Sequence, residues 1–359
     1  VSFSKLELKN FRCFDSISLD LEANSILLYG KNGCGKTSIL EALYVATSGK
    51  SFRTSNLESL IKEGQKAFYI KAYDSLNGSV VEVSKERKQS IQLKINNSRV
   101  TTSELVRSFP SFSIDSKTFF YSENAPEYRR KHIDRALFVG SKEYAADWFG
   151  YFRSLKQRNS ALKQGSSAQA HAYDSLLFEH GEKLNTQRTH LVQEVFKVYK
   201  ELVSKLQHQD TRAKIFTNVS VELNPGFDTS IGLLQSLVNN INNDLRMKST
   251  TRGPHKADLI FKANEFLIKD VFSRGEQKLL SIIWSISQNI FLKNKYQINP
   301  FLLLDDLSSE LDPEILDCFL PVLKFIENRF IFSNIVDVFG SKIDDSNQNF
   351  KKFHVEQLT

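Results

Sequence analysis

Cysteine is scarce in this sequence: three residues of 359, at positions 13, 34 and 318, with no pair in CxxC spacing. That excludes a zinc site built on paired cysteines and gives no disulfide framework. No apolar run reaches the roughly 18 residues that a membrane-crossing helix needs. No signal-peptide pattern opens the chain, which begins at Val1. A cytoplasmic protein with no membrane partner is the expectation, and free thiols suit that compartment. No zinc finger or other separate DNA-reading module is present. Charge of one sign is not in large excess either: 48 Lys and Arg against 41 Asp and Glu leave +7, which permits nucleic-acid binding without requiring it. The cations gather in three sets: Arg129, Arg130, Lys131 and Arg135; Lys85, Arg87 and Lys88; and Lys248, Arg252 and Lys256. Each is either a solvated face or part of a surface that grips a duplex through its phosphates.

What is present is concentrated at the two ends. Gly30-Lys31-Asn32-Gly33-Cys34-Gly35-Lys36-Thr37 follows the apolar run Ile26-Leu27-Leu28-Tyr29 and precedes Ser38-Ile39-Leu40-Glu41-Ala42-Leu43, apolar at helical spacing. Strand, glycine-rich loop and helix are the context that makes GxxxxGK[ST] a phosphate cradle rather than a chance turn. Gly30, Gly33 and Gly35 let the backbone curl and turn its N–H groups inward, and the helix adds the positive end of its dipole. Lys36 is expected to bridge the β- and γ-phosphates of ATP and Thr37 to ligate Mg2+. Asn32, Cys34 and Ser38 complete the expected contact set. Cys34 reads either as a small side chain in a small slot or as a thiol whose modification would block nucleotide binding.

At the other end, Phe301-Leu302-Leu303-Leu304 predicts a buried strand beginning after Pro300 and ending in Asp305-Asp306. Asp305 is placed to hold Mg2+ and Asp306 to orient the attacking water. Helix capping by the pair is the plainer alternative. Upstream, Ser273-Arg274-Gly275-Glu276-Gln277 opens a helical run. Ser273 is its predicted N-cap, Glu276 its capping-box partner, and its N-terminus a second anion site.

Between the ends, alternation predicts strands within 3–30 and at 68–74, 79–85 and 91–95, with a turn at Asn77-Gly78. From about 140 to 208 the pattern is helical: a helix from Trp148 to Leu162, a break at Gly165-Ser166-Ser167, then a stripe of Leu184, Leu191, Val195, Val198 and Leu202. Core packing is one reading of the stripe and a short coiled arm the other. A strand is expected from Ile215 to Leu223, a polar helix near 230–247, a strand from Asp258 to Lys262 and a final strand at 353–356.

Together these elements resemble the heads of ABC-type, SMC-like ATPases, and more narrowly the RecF family of bacterial recombination and repair proteins. Leu8 to Arg12, the phosphate loop, Ser51-Phe52-Arg53, Pro126 with Arg129, Arg130 and Asp134, Gly253-Pro254-His255-Lys256-Ala257-Asp258-Leu259, Ser273 to Leu280 and Leu303 to Asp312 carry the resemblance. It implies an α/β fold: a P-loop ABC-type head with a flanking antiparallel β layer and an inserted, mainly helical second domain. The expected parts are 1–135, 136–248 and 249–359. It also implies that Arg12 lies near the nucleotide. Ser273, Arg274, Gly275 and Glu276 would act as a signature motif, Ser273 and Arg274 in trans across an ATP-dependent homodimer whose interface Asp312 helps to form. The implied activity is slow Mg2+-dependent ATP hydrolysis on double-stranded DNA or single-strand/double-strand junctions. The implied partners are RecR, RecO and, indirectly, RecA, in repair, recombination, replication recovery and the SOS response. A nucleotide-gated adaptor for another protein is the competing class. The chain departs from the family in Phe52, where His is common, and in Lys256-Ala257, where Arg-Asp is common. No Gln matches the ABC Q-loop, for which Asp115 is the nearest stand-in, and no switch histidine follows 330–334, which leaves Ser333 or Asn334 to face the phosphate end. His255 and Lys256 either touch DNA, stabilise the ATP-bound form, or form a local turn.

Overall fold

The computed structural model of the 359-residue chain describes residues 3–115, 118, 121, 123–209, 211–305, 330–334 and 350–358. The chain divides into two compact units, Val1–Phe119 with Leu292–Thr359, and Phe120–Phe291. The cuts lie outside those expected at 135/136 and 248/249, so residues 120–135 and 249–291 go with the inserted segment. Pairing explains the shift. Arg129, on the helix Pro126–Gly140, grips both carboxylate oxygens of Asp258 at 2.7 and 2.9 Å. That aspartate opens a strand which pairs with Val219–Asn224 along its full length.

In the first unit, one sheet is antiparallel. It contains β1 (Phe3–Phe11), β2 (Phe14–Asp20), β4 (Ala67–Asp74), β5 (Ser79–Glu86), β6 (Gln92–Ile95) and β7 (Ser98–Arg99), in the order β2-β1-β4-β5-β6-β7. The other is parallel. It contains β3 (Ser25–Tyr29), β8 (Ser111–Ile114), β12 (Phe301–Leu304), β13 (Phe330–Asn334) and β14 (Phe350–His354), in the order β14-β3-β13-β12-β8. Burial pattern separates them: β1 buries Phe3, Leu6, Leu8 and Phe11 and leaves the residues between them at least partly accessible, whereas β12 is buried at all four residues, as a strand flanked by parallel neighbours must be. Phe3 stacks on Phe109 and meets Phe301 edge-on, so residues from both ends of the chain share one core. Asn77-Gly78 closes the β4–β5 hairpin with Gly78 at φ 62°. The last strand begins at Phe350, three residues earlier than expected.

In the second unit, the helices Lys142–Lys163 and Asp174–Gln209 pack against each other as a hairpin about the expected break. Leu184, Leu191, Val195 and Leu202 are buried along it, so the stripe is core. β9 (Val219–Asn224), β10 (Asp258–Ala263) and β11 (Phe266–Leu267) form a small antiparallel sheet. Residues 215–218 belong to a 3-10 turn rather than to β9, and the helix expected near 230–247 is two, Gly232–Asn239 and Ile241–Met247. Among the described residues no helix is long and apolar enough to cross a membrane.

Besides Arg129, two further arginines are buried in this interior. Arg158 is 0% exposed and donates to Asp174 at 2.8 Å, Asp244 at 2.6 Å and the Thr250 hydroxyl at 2.9 Å. Arg188 is 1% exposed and holds both oxygens of Asp134, at 2.8 and 2.9 Å, and the carbonyl of Pro254 at 2.7 Å. Each ties several segments to one charge, and losing the cation would strand buried carboxylates. Arg158→Met should therefore destabilise the unit by roughly 3–5 kcal/mol. Both tryptophans, Trp148 and Trp284, lie in this unit, so urea unfolding followed by their fluorescence reads the effect.

Candidate nucleotide-binding site

Strand register builds the site. β13 pairs with β3 on one side and β12 on the other, Ser333 opposite Leu28 and Phe332 opposite Leu304. The carboxyl ends of three parallel strands therefore reach one edge, where α/β sheets bind ligands. Asp305, one residue beyond β12, lies beside Ser333. Its Oδ1 accepts hydrogen bonds from the Ser333 hydroxyl at 2.8 Å and from the Thr37 hydroxyl at 2.9 Å, across 268 positions of sequence. Of the two residues left to face this end, Ser333 thus makes a contact; nothing is described of the Asn334 side chain.

After β3 the loop turns on three glycines with positive φ: Gly30 at 144°, Gly33 at 85° and Gly35 at 108°. At Gly35 a side chain has no room, because a Cβ would lie 2.4 Å from the Phe14 ring. The helix Lys36–Ser48 has no side-chain cap and no acidic residue in its first turn. Its leading N–H groups are left to an anion. Lys36 is 6% exposed, and its ammonium donates to the carbonyls of Gly30 at 2.6 Å and Lys31 at 2.8 Å. A cavity of about 880 Å3 opens over the loop, lined among others by Arg12, Asn32, Gly33, Lys36, Thr37 and Arg53. That is cofactor-sized, within the ~300–1,000 Å3 typical of such pockets. Ser38 also lines it. Cys34 turns the other way: it packs against the core, and a Cβ on Gly30 would come within 3.0 Å of its sulfur, so it fills a small slot.

Glu41 is a residue that reading the sequence missed. It is 0% exposed on the phosphate-loop helix and receives Arg12 through Nε and Nη2 at 2.8 and 2.9 Å, with Arg53 at 3.6 Å. The signal was there: a carboxylate between Leu40 and Ala42 on a buried face needs a cationic partner.

Asp306, Asp312 and Cys318 lie outside the described residues. Asp115 accepts hydrogen bonds from the backbone N–H and hydroxyl of Thr118, closing its own turn. Ser273, Arg274, Gly275 and Glu276 lie in the second unit, at the start of the helix Arg274–Tyr296. The capping box is formed there: the Glu276 carboxylate accepts from the Ser273 N–H at 2.7 Å, and the Glu276 N–H donates to the Ser273 hydroxyl at 3.3 Å. Ser273 and Arg274 are exposed.

The basic sets fare differently. Arg129 is buried on Asp258, Arg130 donates to the Ala257 carbonyl, and Lys85 is buried beside Glu58. Lys248, Arg252 and Lys256 are all exposed. His255 is a turn residue, its Nδ1 2.8 Å from the Tyr151 hydroxyl and its Nε2 2.8 Å from the Thr250 carbonyl.

Residues 2–336 match the RecF/RecN/SMC N-terminal domain family. A Shewanella denitrificans protein named DNA replication and repair protein RecF is 30% identical over 361 residues, 99% of this chain and 98% of its own. The chain belongs to the RecF family. A Pseudoalteromonas translucida protein of the same name is 29% identical over 365 residues, 99% of this chain and 98% of its own. Among solved structures, the recombination mediator protein RecF-ATP in the RecFOR pathway superposes with a TM-score of 0.80 at 23% identity, over 98% of this chain and 97% of the other. An Smc head bound to a ScpA domain gives 0.56 at 18% identity, over 95% and 91%. The fold is thus an α/β head with a P-loop ATPase-like core, an antiparallel sheet and an inserted, mainly helical region, and that core implies a nucleotide ligand.

Burial pushes the imidazoles of His255 and His132 down to about 4. Both stay neutral in the fold while an unfolded chain protonates near its ordinary value, so the second unit should lose stability as pH falls from about 6.5 towards 4 and keep it above. Urea midpoints at pH 7, 5.5 and 4.5 check this. His255→Asn should flatten the decline.

Proposed function

We propose that this chain is an ATP-dependent, DNA-binding recombination mediator. In this reading it hydrolyses ATP slowly with Mg2+, dimerises on double-stranded DNA or single-strand/double-strand junctions, and helps load the RecA recombinase at gaps with RecO and RecR. The observation that carries the nucleotide part is the meeting of Thr37, Asp305 and Ser333 on one carboxylate oxygen beside an uncapped helix start. Family membership and the names of the relatives support the DNA part. The exposed Lys248, Arg252 and Lys256 are candidates for phosphate contacts, which would bring salt-sensitive binding with little sequence preference.

The donor set fits magnesium, a hard cation held by one or two protein oxygens and the substrate's phosphates. Thr37 and Asp305 supply such oxygens. When bound, Mg2+ would offset the charge that develops on the phosphoryl oxygens. The protein's own part is positioning. The loop N–H groups and Lys36 orient the β- and γ-phosphates, Ser333 keeps the Asp305 carboxylate turned towards Thr37, and Asp306 orients the attacking water. Ser273 and Arg274 complete the γ-phosphate site of a second copy. ATP then stabilises the dimer, and the dimer tightens ATP binding by the same factor.

Lys36→Met removes charge-assisted phosphate contacts and should weaken ATP binding by roughly 10- to 100-fold. Equilibrium titration with a fluorescent ATP analogue reads this, and the variant should not dimerise with ATP. Ser273→Arg should bind ATP as a monomer with nearly unchanged affinity yet fail to pair. Light scattering with ATP, ADP and no nucleotide, each with and without duplex DNA, reads both variants. A wild-type chain that stays monomeric with ATP and duplex at high concentration would overturn the dimer. ATP-dependent capture of a protein with no effect of DNA would point to a nucleotide-gated adaptor.

A further inference from the structure

Two segments converge on Glu41. The turn between β1 and β2 consists of Arg12 and Cys13 alone, since Phe11 pairs with Phe14, and Arg12 takes the left-handed conformation at φ 53°. A bulky residue is held there only when its surroundings over-determine it. They do: the Arg12 N–H donates to the Leu60 carbonyl at 2.8 Å, its Nη1 to the Ser59 carbonyl at 3.0 Å, and its Nε and Nη2 to Glu41. From the other side, the Ser51 hydroxyl donates to the same carboxylate and accepts the N–H groups of Arg53 and Thr54 at 2.9 and 3.0 Å. The Arg53 guanidinium stands 3.6 Å from Glu41 and is 47% exposed, while that of Arg12 is 22% exposed. Both arginines line the cavity over the phosphate loop; Glu41 does not.

We propose that Glu41 is a positioning residue for nucleotide binding: its buried carboxylate fixes Arg12 towards the cavity and holds Arg53 loosely enough to close on the ligand. This rests on the nucleotide reading of the cavity. Charge alone predicts the opposite of positioning. A carboxylate close to a polyphosphate repels it, so a group acting only through its charge would tighten ATP binding when neutralised. A group that aims two guanidiniums weakens binding when neutralised, because the freed side chains must be ordered again by the ligand.

The test is a double-mutant cycle on the full chain, with ATP affinity measured by calorimetry. Glu41→Gln should raise the Kd about tenfold, Arg12→Ala by a similar factor, and the double variant by clearly less than the product of the two, because part of the effect of Glu41 passes through Arg12 and the rest through Arg53. Glu41→Asp keeps the charge on a shorter arm and should recover part of the loss. It also decides the matter if Glu41→Gln does not fold. A melting temperature that drops while the Kd of the folded protein is unchanged would overturn the proposal, as would tighter binding by Glu41→Gln or costs that simply add. A wild-type chain that does not bind ATP would instead reject the nucleotide assignment itself, a result distinguishable from intact binding that ignores Glu41.

Discussion

One carboxylate oxygen organises the first unit. Asp305 Oδ1 accepts Thr37 and Ser333, which come from the start of the phosphate-loop helix and from the strand between β3 and β12. For three strands so far apart in sequence to deliver these groups to within 3 Å, the parallel register has to be right to the residue, since a slip of one turns every side chain to the opposite face. The all-buried β12 supplies that accuracy. Four apolar side chains between two parallel neighbours leave it one comfortable register, and the first residue that can face water is the aspartate. Packing energy spent on Phe301 to Leu304 is thus what sets the position of a charged group at the site.

The second unit uses charge differently. Arg129, Arg158 and Arg188 are buried, each paired with carboxylates and backbone carbonyls from distant segments. Burial makes these pairs poor sources of net stability, but an arginine's planar fork accepts only one geometry of partners. They act as registration pins. This accounts for the Pro-His-Lys turn: Arg188 holds the Pro254 carbonyl, His255 bridges Tyr151 and Thr250, and Arg130 holds the Ala257 carbonyl. Residues that carried the family resemblance in this stretch are largely structural, and of the segment's cations it is Lys256 that stays exposed.

Local features were legible in the sequence. The phosphate loop, β12, the capping box at Ser273 and Glu276, and the β4–β5 hairpin each depend on residues within about ten positions of one another, where spacing and turn chemistry act directly. The misreadings lie elsewhere. The expected parts 1–135, 136–248 and 249–359 differ from the compact units, whose edge is set by Arg129 meeting Asp258 and β9 meeting β10, which no local pattern encodes. The basic set at Arg129 and Arg130 read as surface because charge usually is. Glu41 was hidden for the converse reason: its partners, Arg12 and Arg53, come from segments on either side of the helix, and nothing in the local spacing joins either of them to it.

The groups around the loop are also partnered in a way that favours a polyanion. Lys36 is held by two carbonyls, neutral dipoles, and Thr37 shares its carboxylate acceptor with Ser333. These bonds keep the ammonium and hydroxyl in place at modest strength, since hydrogen bonds between neutral partners, or with only one ion, are weaker than those between ions. A phosphate offered to Lys36 replaces carbonyl dipoles with a full charge, whereas a neutral ligand gains nothing by the exchange. Under the proposed function, a preference for a polyphosphate would follow from what the lysine already touches, together with a helix start that lacks both cap and acid. The same reasoning separates the roles of the two acids near the site. Asp305 accepts the Thr37 and Ser333 hydroxyls, and in the proposed function it is the acid that holds the cation. Glu41 is enclosed by arginines, which take up its charge and are in turn presented by it to the cavity.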